Sequence, residues 1–407
     1  MMYLNNNQFY KKRETFVLIF LVLLSVLIRI PIIFIFGDTN LDWEWGQLVN
    51  NLIAYDTLSY RKFDDFLLPN LFMPPLYAYY LYLFSFLNLE LHNYINVVLF
   101  SQALLAAVSV AIFYKINKIF FSQKVSFYSS LIFSFFPIHA YACSQISSIS
   151  LQTFFLLSFF YFFFQLNKKK DFLTTFTFSL ISGLLILLRG EFILILIISI
   201  LYLFIFFKVN LKNILIIIII SLITISPYLI RNILIFEEIT ITKSFGFNLW
   251  KGNNINSGVE GSEFMNEKLK EKIDAVYKNK LFRINMDKIF MEEAIKNISD
   301  SPIKYFTLYI KKIISFIFID VDSTQPNYYN PLHYLPLLLI GITSLIGIIL
   351  SDKKSSKMNY LILIFFMNIL IFSSFFILPR YKLAILPLQL IFTNIFILNI
   401  KKYFIKS

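Results

Sequence analysis

The sequence predicts an all-α polytopic membrane protein, and three observations carry that prediction. Of its 407 residues, 58% are hydrophobic and only 15% charged, against roughly 45–50% and about 25% in water-soluble domains. The mean hydropathy is +0.70. The apolar residues fall in long runs separated by small lysine clusters, the arrangement that orients helices across a bilayer. With 10 Gly, 12 Pro and the single Cys143, collagenous, disordered and disulfide-stapled classes are excluded. The net charge of +13 does not indicate nucleic acid, because no basic stripe with interleaved aromatics lies on a soluble stretch.

A hydrocarbon core takes about 20 apolar residues per helix. Such runs lie near 15–36, 93–114, 125–141, 150–166, 172–188, 191–207, 212–231, 332–350, 358–378 and 382–400. The first follows Lys11, Lys12 and Arg13 with no small-residue cleavage site after it, and so reads as an uncleaved signal anchor. Segments 74–88 and 303–319 would raise the count to twelve, but the first is short and opens with Pro74-Pro75, and the second carries Lys311-Lys312. Treated as helices lying on the membrane surface, they leave the clusters at Lys115/Lys118/Lys124, Lys168/Lys169/Lys170, Lys208/Lys212, Lys353/Lys354/Lys357 and Lys401/Lys402/Lys406 on one side with the N-terminal cluster. The positive-inside rule makes that side cytoplasmic. The expectation is about ten spans in a cell inner or plasma membrane, with both termini cytoplasmic.

Three parts follow along the chain. Residues 1–236 form an N-terminal transmembrane module whose first outer loop, 37–92, is acidic. Residues 237–302 form an extracytoplasmic cap, helical from Glu263 to Ile298 by its alternation of charged and apolar residues and closed by Ser301-Pro302. A segment of that size builds little core of its own, so the cap is expected to lean on the membrane domain. Residues 303–407 supply a juxtamembrane helix and the C-terminal spans. No internal repeat of a solenoid kind is present.

Charges placed against a bilayer cost about 3 kcal/mol on insertion scales, so their default reading is functional. Asp42 and Glu44 lie in LDWEWGQLVNNL, Arg189 and Glu191 in an RGE turn, Arg231 in SPYLIRN, and Arg380 with Lys382 in LPRYKLAILP. In the ten-span arrangement all of these sit at the outer face. Guanidinium forks hold phosphate oxygens, fixed cations stabilise a leaving phosphate, and a carboxylate takes a proton from an incoming hydroxyl. The bland readings stand beside these. Asp38, Asp56, Asp64 and Asp65 suit solvated loop acids, Trp43 and Trp45 an interfacial belt, Arg189 and Glu191 a structural pair, and Arg231 and Arg380 boundary anchors. His92, His139 and His333 are scattered, and no spacing of ligands suggests a metal. Asn297-Ile298-Ser299 matches a glycosylation acceptor only weakly.

In order along the chain, LDWEWGQLVNNLIAYDTLSY, MPPLYAYYLYLFSFL, YKINKIFFSQK, FSFFPIHAYA, LLRGEFILI, SPYLIRN with GFNLWKGNNINSG, MEEAIKNISDSPIKYFTLYIKK and PRYKLAILP resemble the GT-C superfamily of membrane glycosyltransferases. The branch they look like is that of the protein O-mannosyltransferases and lipid A aminoarabinose transferases, which use polyprenyl-phosphate sugars. The resemblance implies a GT-C-type fold and an inverting transferase moving a hexosyl or pentosyl group to an acceptor hydroxyl or amine on protein, lipid or glycan. It implies Asp42 as the base, with Asp38 as rival. Arg380, Tyr381 and Lys382 match the motif facing the lipid phosphate, and Arg231, Asn253 and Asn254 the segment bordering sugar and phosphate, with Arg189 and Glu191 as the Arg-x-Glu turn. No cofactor is expected; with a monophosphate leaving group held by cations no metal is strictly required, and a divalent metal stays open as the alternative. One departure stands out: relatives carry an acid in the second outer loop, where this chain reads ACSQISSISLQTFF. Gln145, a serine or Glu191 would have to substitute.

Other classes remain open. A lipid-linked-glycan flippase would carry charges or broken helices at mid-membrane and a repeated architecture. A polysaccharide polymerase or ligase shares many spans and outer arginines, and a non-catalytic relative fits the missing second acid.

Overall fold

In a bilayer, a long apolar run satisfies its backbone only by closing hydrogen bonds within itself, which is the reason these runs become helices. The computed structural model describes residues 2–41, 43–63, 66–277 and 281–406. It opens with α1 (Met2–Phe36), α2 (Trp43–Tyr55) and a hairpin of β1 (Ser59–Phe63) and β2 (Phe66–Pro69). Next come α3 (Pro75–Ser85), α4 (Leu91–Asn117), α5 (Gln123–Phe135), α6 (Pro137–Tyr141) and a 3-10 turn, Ala142–Ser144. The middle of the chain is α7 (Ile149–Lys168), α8 (Phe172–Leu188), α9 (Phe192–Ile205) and α10 (Leu211–Phe236). The cap holds α11 (Phe245–Gly252), α12 (Glu267–Val276) and α13 (Phe282–Asp300). The chain then runs through α14 (Pro302–Ile317), α15 (Pro331–Ile349), α16 (Ser356–Ser373), a 3-10 turn at Pro379–Ala384 and α17 (Leu386–Lys406).

Helix boundaries follow sequence punctuation. Ser122, Asp171, Asn210, Asn266 and Ser355 each cap a helix by accepting from the backbone N–H three residues on. Pro75, Pro137, Pro302 and Pro331 occupy first turns, where a missing N–H costs nothing.

Among the described residues, six helices are long and apolar enough to cross a membrane: α1 from Lys12, α4, α7, α10, α15 and α16. Helices α8 and α9 are apolar but shorter. Lipid-facing surfaces are evident from side chains such as Phe34 and Leu234, 73% and 78% exposed, which water would not tolerate in such number. The chain is an integral membrane protein. The run expected as a span at 125–141 is interrupted at Phe136, because Pro137 has no N–H to continue the ladder. Segments 74–88 and 303–319, expected as surface helices, form α3 and α14, with 11 and 16 residues. The small antiparallel hairpin was not foreseen; Ser59 Oγ donates to Leu68 O across it.

Two large cores fill the bundle. One surrounds Phe113, Phe163, Tyr360, Phe365 and Phe392. Phe163 stacks on Tyr360 at 3.7 Å, and the Tyr360 hydroxyl shares a 2.7 Å hydrogen bond with Ser199. Gly347 lets α15 lie on α17: a Cβ there would meet the Phe392 carbonyl oxygen at 1.9 Å. The second core holds α2, α3 and α4 together through Trp45, Tyr77, Leu81 and Val98. The cap has only a small core around Trp250, Leu269 and Phe290.

Candidate functional site

The expected site residues lie at one end of the bundle, where α1, α8 and α10 finish and α4, α7 and α9 begin. The Lys168–Lys170, Lys353–Lys357 and Lys401–Lys402 clusters lie at the other. Asp42 lies outside the described residues.

Asp38 sits in the turn after α1. Its backbone N–H donates to Ser144 O at 3.0 Å, and its Oδ2 accepts from Ile146 N at 2.6 Å. Gln145 Nε2 in turn donates to Phe36 O at 2.9 Å. The loop after α1 is therefore laced to the segment that carries no acid. Half-burial pushes the Asp38 carboxyl above its ordinary value, with the Ile146 N–H opposing. Behind it, Gln102 Nε2 donates to the carbonyls of Cys143 and Gln145 at 3.2 and 2.9 Å, and Gln102 Oε1 accepts from Tyr77 Oη at 2.8 Å. Tyr77 packs edge-on against Trp45 at 4.8 Å, so α2, α3 and α4 all brace this loop. The neighbouring Glu44 Oε1 accepts from Tyr60 Oη at 3.2 Å.

The same acid-free segment runs into α7, where Gln152 Oε1 accepts from Arg189 Nη1 at 2.9 Å. Arg189 Nε donates to Glu191 Oε1 at 2.6 Å. Its guanidinium lies over the rings of Tyr381 at 4.9 Å and Phe372 at 5.5 Å. Burial works against the Arg189 charge, but Glu191 and Tyr381 outweigh it and hold the group more firmly protonated than usual. Arg380 also stands by Tyr381, 5.9 Å from the ring, exposed, and without a hydrogen bond or ion pair among the described residues. The fold thus gathers the Arg-x-Glu turn and the Arg-Tyr motif around one aromatic ring.

The other expected residues have their polar atoms engaged by the protein itself. Arg231 Nη1 donates to Asn70 O and to Asn232 Oδ1, both at 2.7 Å, and holds the loop beyond the hairpin onto α10. Asn253 Nδ2 donates to Leu249 O and Ser374 O, and Asn254 Nδ2 to Ser262 O, which folds the 252–262 segment and seats it on the end of α16. Lys382 is buried and donates to the carbonyls of Ser315, Phe316 and Phe318 at 2.6, 3.2 and 2.6 Å, capping the C-terminus of α14. Burial pushes its ammonium down to about 7, with Asp320 opposing.

Three further residues lie outside the set expected for the site. Lys312 is fully buried under the cap, donating to Gly252 O and Asn253 Oδ1. Gln152, also fully buried, keeps its Nε2 without a hydrogen-bond partner among the described residues, beside Arg189. Arg29 lies inside the first span, fully buried. Its Nη1 donates to Ser25 Oγ and Ser25 O, and its Nη2 lies 2.9 Å from His139 Nδ1. It pins α1 to the break at Pro137. An arginine two residues before Pro31 in an apolar run was a usable signal. Among the described residues, no three of His, Cys, Asp and Glu cluster as a metal site.

Residues 73–230 match the family model described as dolichyl-phosphate-mannose-protein mannosyltransferase, less than half of the chain. No curated protein matches the sequence. Among solved structures, the oligosaccharyltransferase of Archaeoglobus fulgidus in its apo form superposes with a TM-score of 0.58 at 12% identity, over 97% of this chain and 51% of that one. The same organism's oligosaccharyltransferase AglB, in complex with an inhibitory peptide and a dolichol-phosphate, gives 0.56 at 12% identity, over 97% and 51%. This chain thus spans about half the length of those structures. ArnT from Cupriavidus metallidurans bound to undecaprenyl phosphate gives 0.44 at 10% identity, over 93% and 76%, too low to bear on the fold. The GT-C resemblance carried by the motifs is met by the family match and by the fold alike.

Proposed function

We propose that this chain is an inverting membrane glycosyltransferase that moves a sugar from a polyprenyl phosphate to an acceptor hydroxyl or amine. The observation that carries the reading is the placement of both Arg189 and Arg380 by the Tyr381 ring, with the exposed Arg380 guanidinium otherwise unengaged among the described residues. An exposed guanidinium beside a fixed one suits a phosphate whose charge grows as it leaves. The family match, and a fold like that of the AglB oligosaccharyltransferase in complex with a dolichol-phosphate, support a lipid-phosphate donor. The lysine-rich opposite end argues for a cytoplasmic side there and for transfer at the outer face.

In this mechanism a carboxylate takes the acceptor's proton as its oxygen or nitrogen attacks the anomeric carbon. The bond from that carbon to the phosphate oxygen breaks, and the electron pair leaves with the lipid phosphate toward Arg380. Asp42 is the base implied by the resemblance. Asp38 is its rival, and its raised affinity for a proton suits that task. Lys382 and Arg231 act at one remove, holding α14 and the loop after the hairpin in place. Asn253 and Asn254 do the same for the cap segment. No metal is needed in this scheme, and chelator-sensitive activity restored by a divalent cation would overturn that part.

The test is transfer of labelled sugar from a polyprenyl-phosphate donor by the purified protein. Wild type is compared with Asp42→Asn, Asp38→Asn and Arg380→Gln. Loss of transfer in one aspartate variant with donor binding retained names the base. Movement of intact donor lipid without sugar transfer would point to a flippase instead. Wild-type transfer in all three variants refutes the mechanism.

A further inference from the structure

The end of the bundle opposite the candidate site carries a cleft of about 720 Å³, framed by the ends of α4, α7 and α9, the start of α16 and the last turns of α17. Its lining mixes polar groups with apolar side chains, Phe120, Phe121, Phe207 and Leu398 among them. Its rim carries Lys357 and Lys402 from two different helices. Neither lysine has a hydrogen bond or ion pair among the described residues. The one rim carboxylate, Asp352, accepts from the backbone N–H of Lys354 in its own turn.

We propose that this cleft seats an anionic phospholipid, its phosphate between Lys357 and Lys402 and its upper acyl chains against the aromatic side chains of the lining. Charge complementarity selects this occupant. A small soluble anion has no use for the phenylalanines of the lining, and two lysines against one carboxylate favour an anionic headgroup over a zwitterionic one. Basic recesses between spans at a lysine-rich membrane end suit anionic headgroups on the same grounds. The site is independent of sugar transfer and of which leaflet that end faces.

The test is native mass spectrometry of the purified full chain with phosphatidylglycerol or phosphatidylcholine. It compares wild type with a Lys357→Gln/Lys402→Gln variant and a Lys353→Gln/Lys354→Gln control, whose lysines lie outside the cleft lining. Wild type and control are expected to retain phosphatidylglycerol over phosphatidylcholine, and the cleft variant to retain about tenfold less. Phosphatidylglycerol should also raise the unfolding temperature of wild type and not of the cleft variant, while the two unfold alike without lipid. Equal retention by both double variants, equal retention of the two lipids, or displacement by millimolar glycerol 3-phosphate would each refute the proposal.

Discussion

The guanidinium of Arg189 lies 4.9 Å from the centre of the Tyr381 ring, joining the turn after α8 to the turn before α17. Arg189 is locked by Glu191 and Gln152 while its neighbour Arg380 is not. The two arginines should therefore fail differently.

Arg189→Leu strips partners from Glu191 and from the buried Gln152. It is expected to cost about 2 kcal/mol of stability together with activity. Arg380→Gln should leave the unfolding temperature unchanged and lower turnover by about a hundredfold, the scale of losing one donor to a developing anion. Thermal unfolding in detergent beside the transfer assay separates the two.

Asp38→Asn tests whether that acid is held for chemistry or for architecture. Its folded-state pKa is raised by burial. The folded chain therefore binds the proton more tightly than the unfolded chain, and stability is lost as pH rises above the ordinary 3.8. At neutral pH the charge is a burden on the fold. Asparagine keeps an acceptor for the Ile146 N–H, so the variant should unfold no earlier than wild type at pH 7. A lower unfolding temperature would mark Asp38 as structural.

Lys312 makes the opposite prediction. Burial pushes its ammonium down to about 7 from the ordinary 10.5. Between those values the unfolded chain binds more protons, so stability rises with pH across that window. The unfolding temperature of wild type should increase from pH 7 to pH 9 relative to Lys312→Met. Equal pH responses would show that the lysine is not titrating there.

Gly252 precedes Asn253 where the cap meets α16. A Cβ at this position would come within 2.0 Å of the Phe375 carbonyl oxygen, a backbone atom with no room to yield. Gly252→Ala should cost about 1–3 kcal/mol, the range for overpacking. It should also speed proteolysis within 253–302, while deuterium exchange in α4 and α7 stays unchanged. Uniform loosening of the whole bundle would argue against a local wedge.

What the sequence alone determined is whatever depends on local pattern. Apolar run length and lysine clusters made the helices and separated the two ends of the bundle, and the Asp and Asn caps and first-turn prolines placed their boundaries. The charge alternation from Glu263 to Ile298 announced the cap helices, and ordered motifs pointed to the GT-C fold. Packing decided the rest, because a side chain's role depends on which acceptors meet it. Arg380 and Lys382 are two residues apart in one motif. Yet α14 ends beside Lys382, so its three carbonyls take up that ammonium, while Arg380 is left exposed. Arg231 likewise reads as a boundary cation until the loop after the hairpin supplies Asn70 O. Arg29 and Gln152 acquire their positions only from the break at Pro137 and the turn at Arg189, contacts between segments distant in sequence. A sequence fixes where a charge sits along a helix; only the packed bundle decides whether a neighbouring carbonyl has already claimed it.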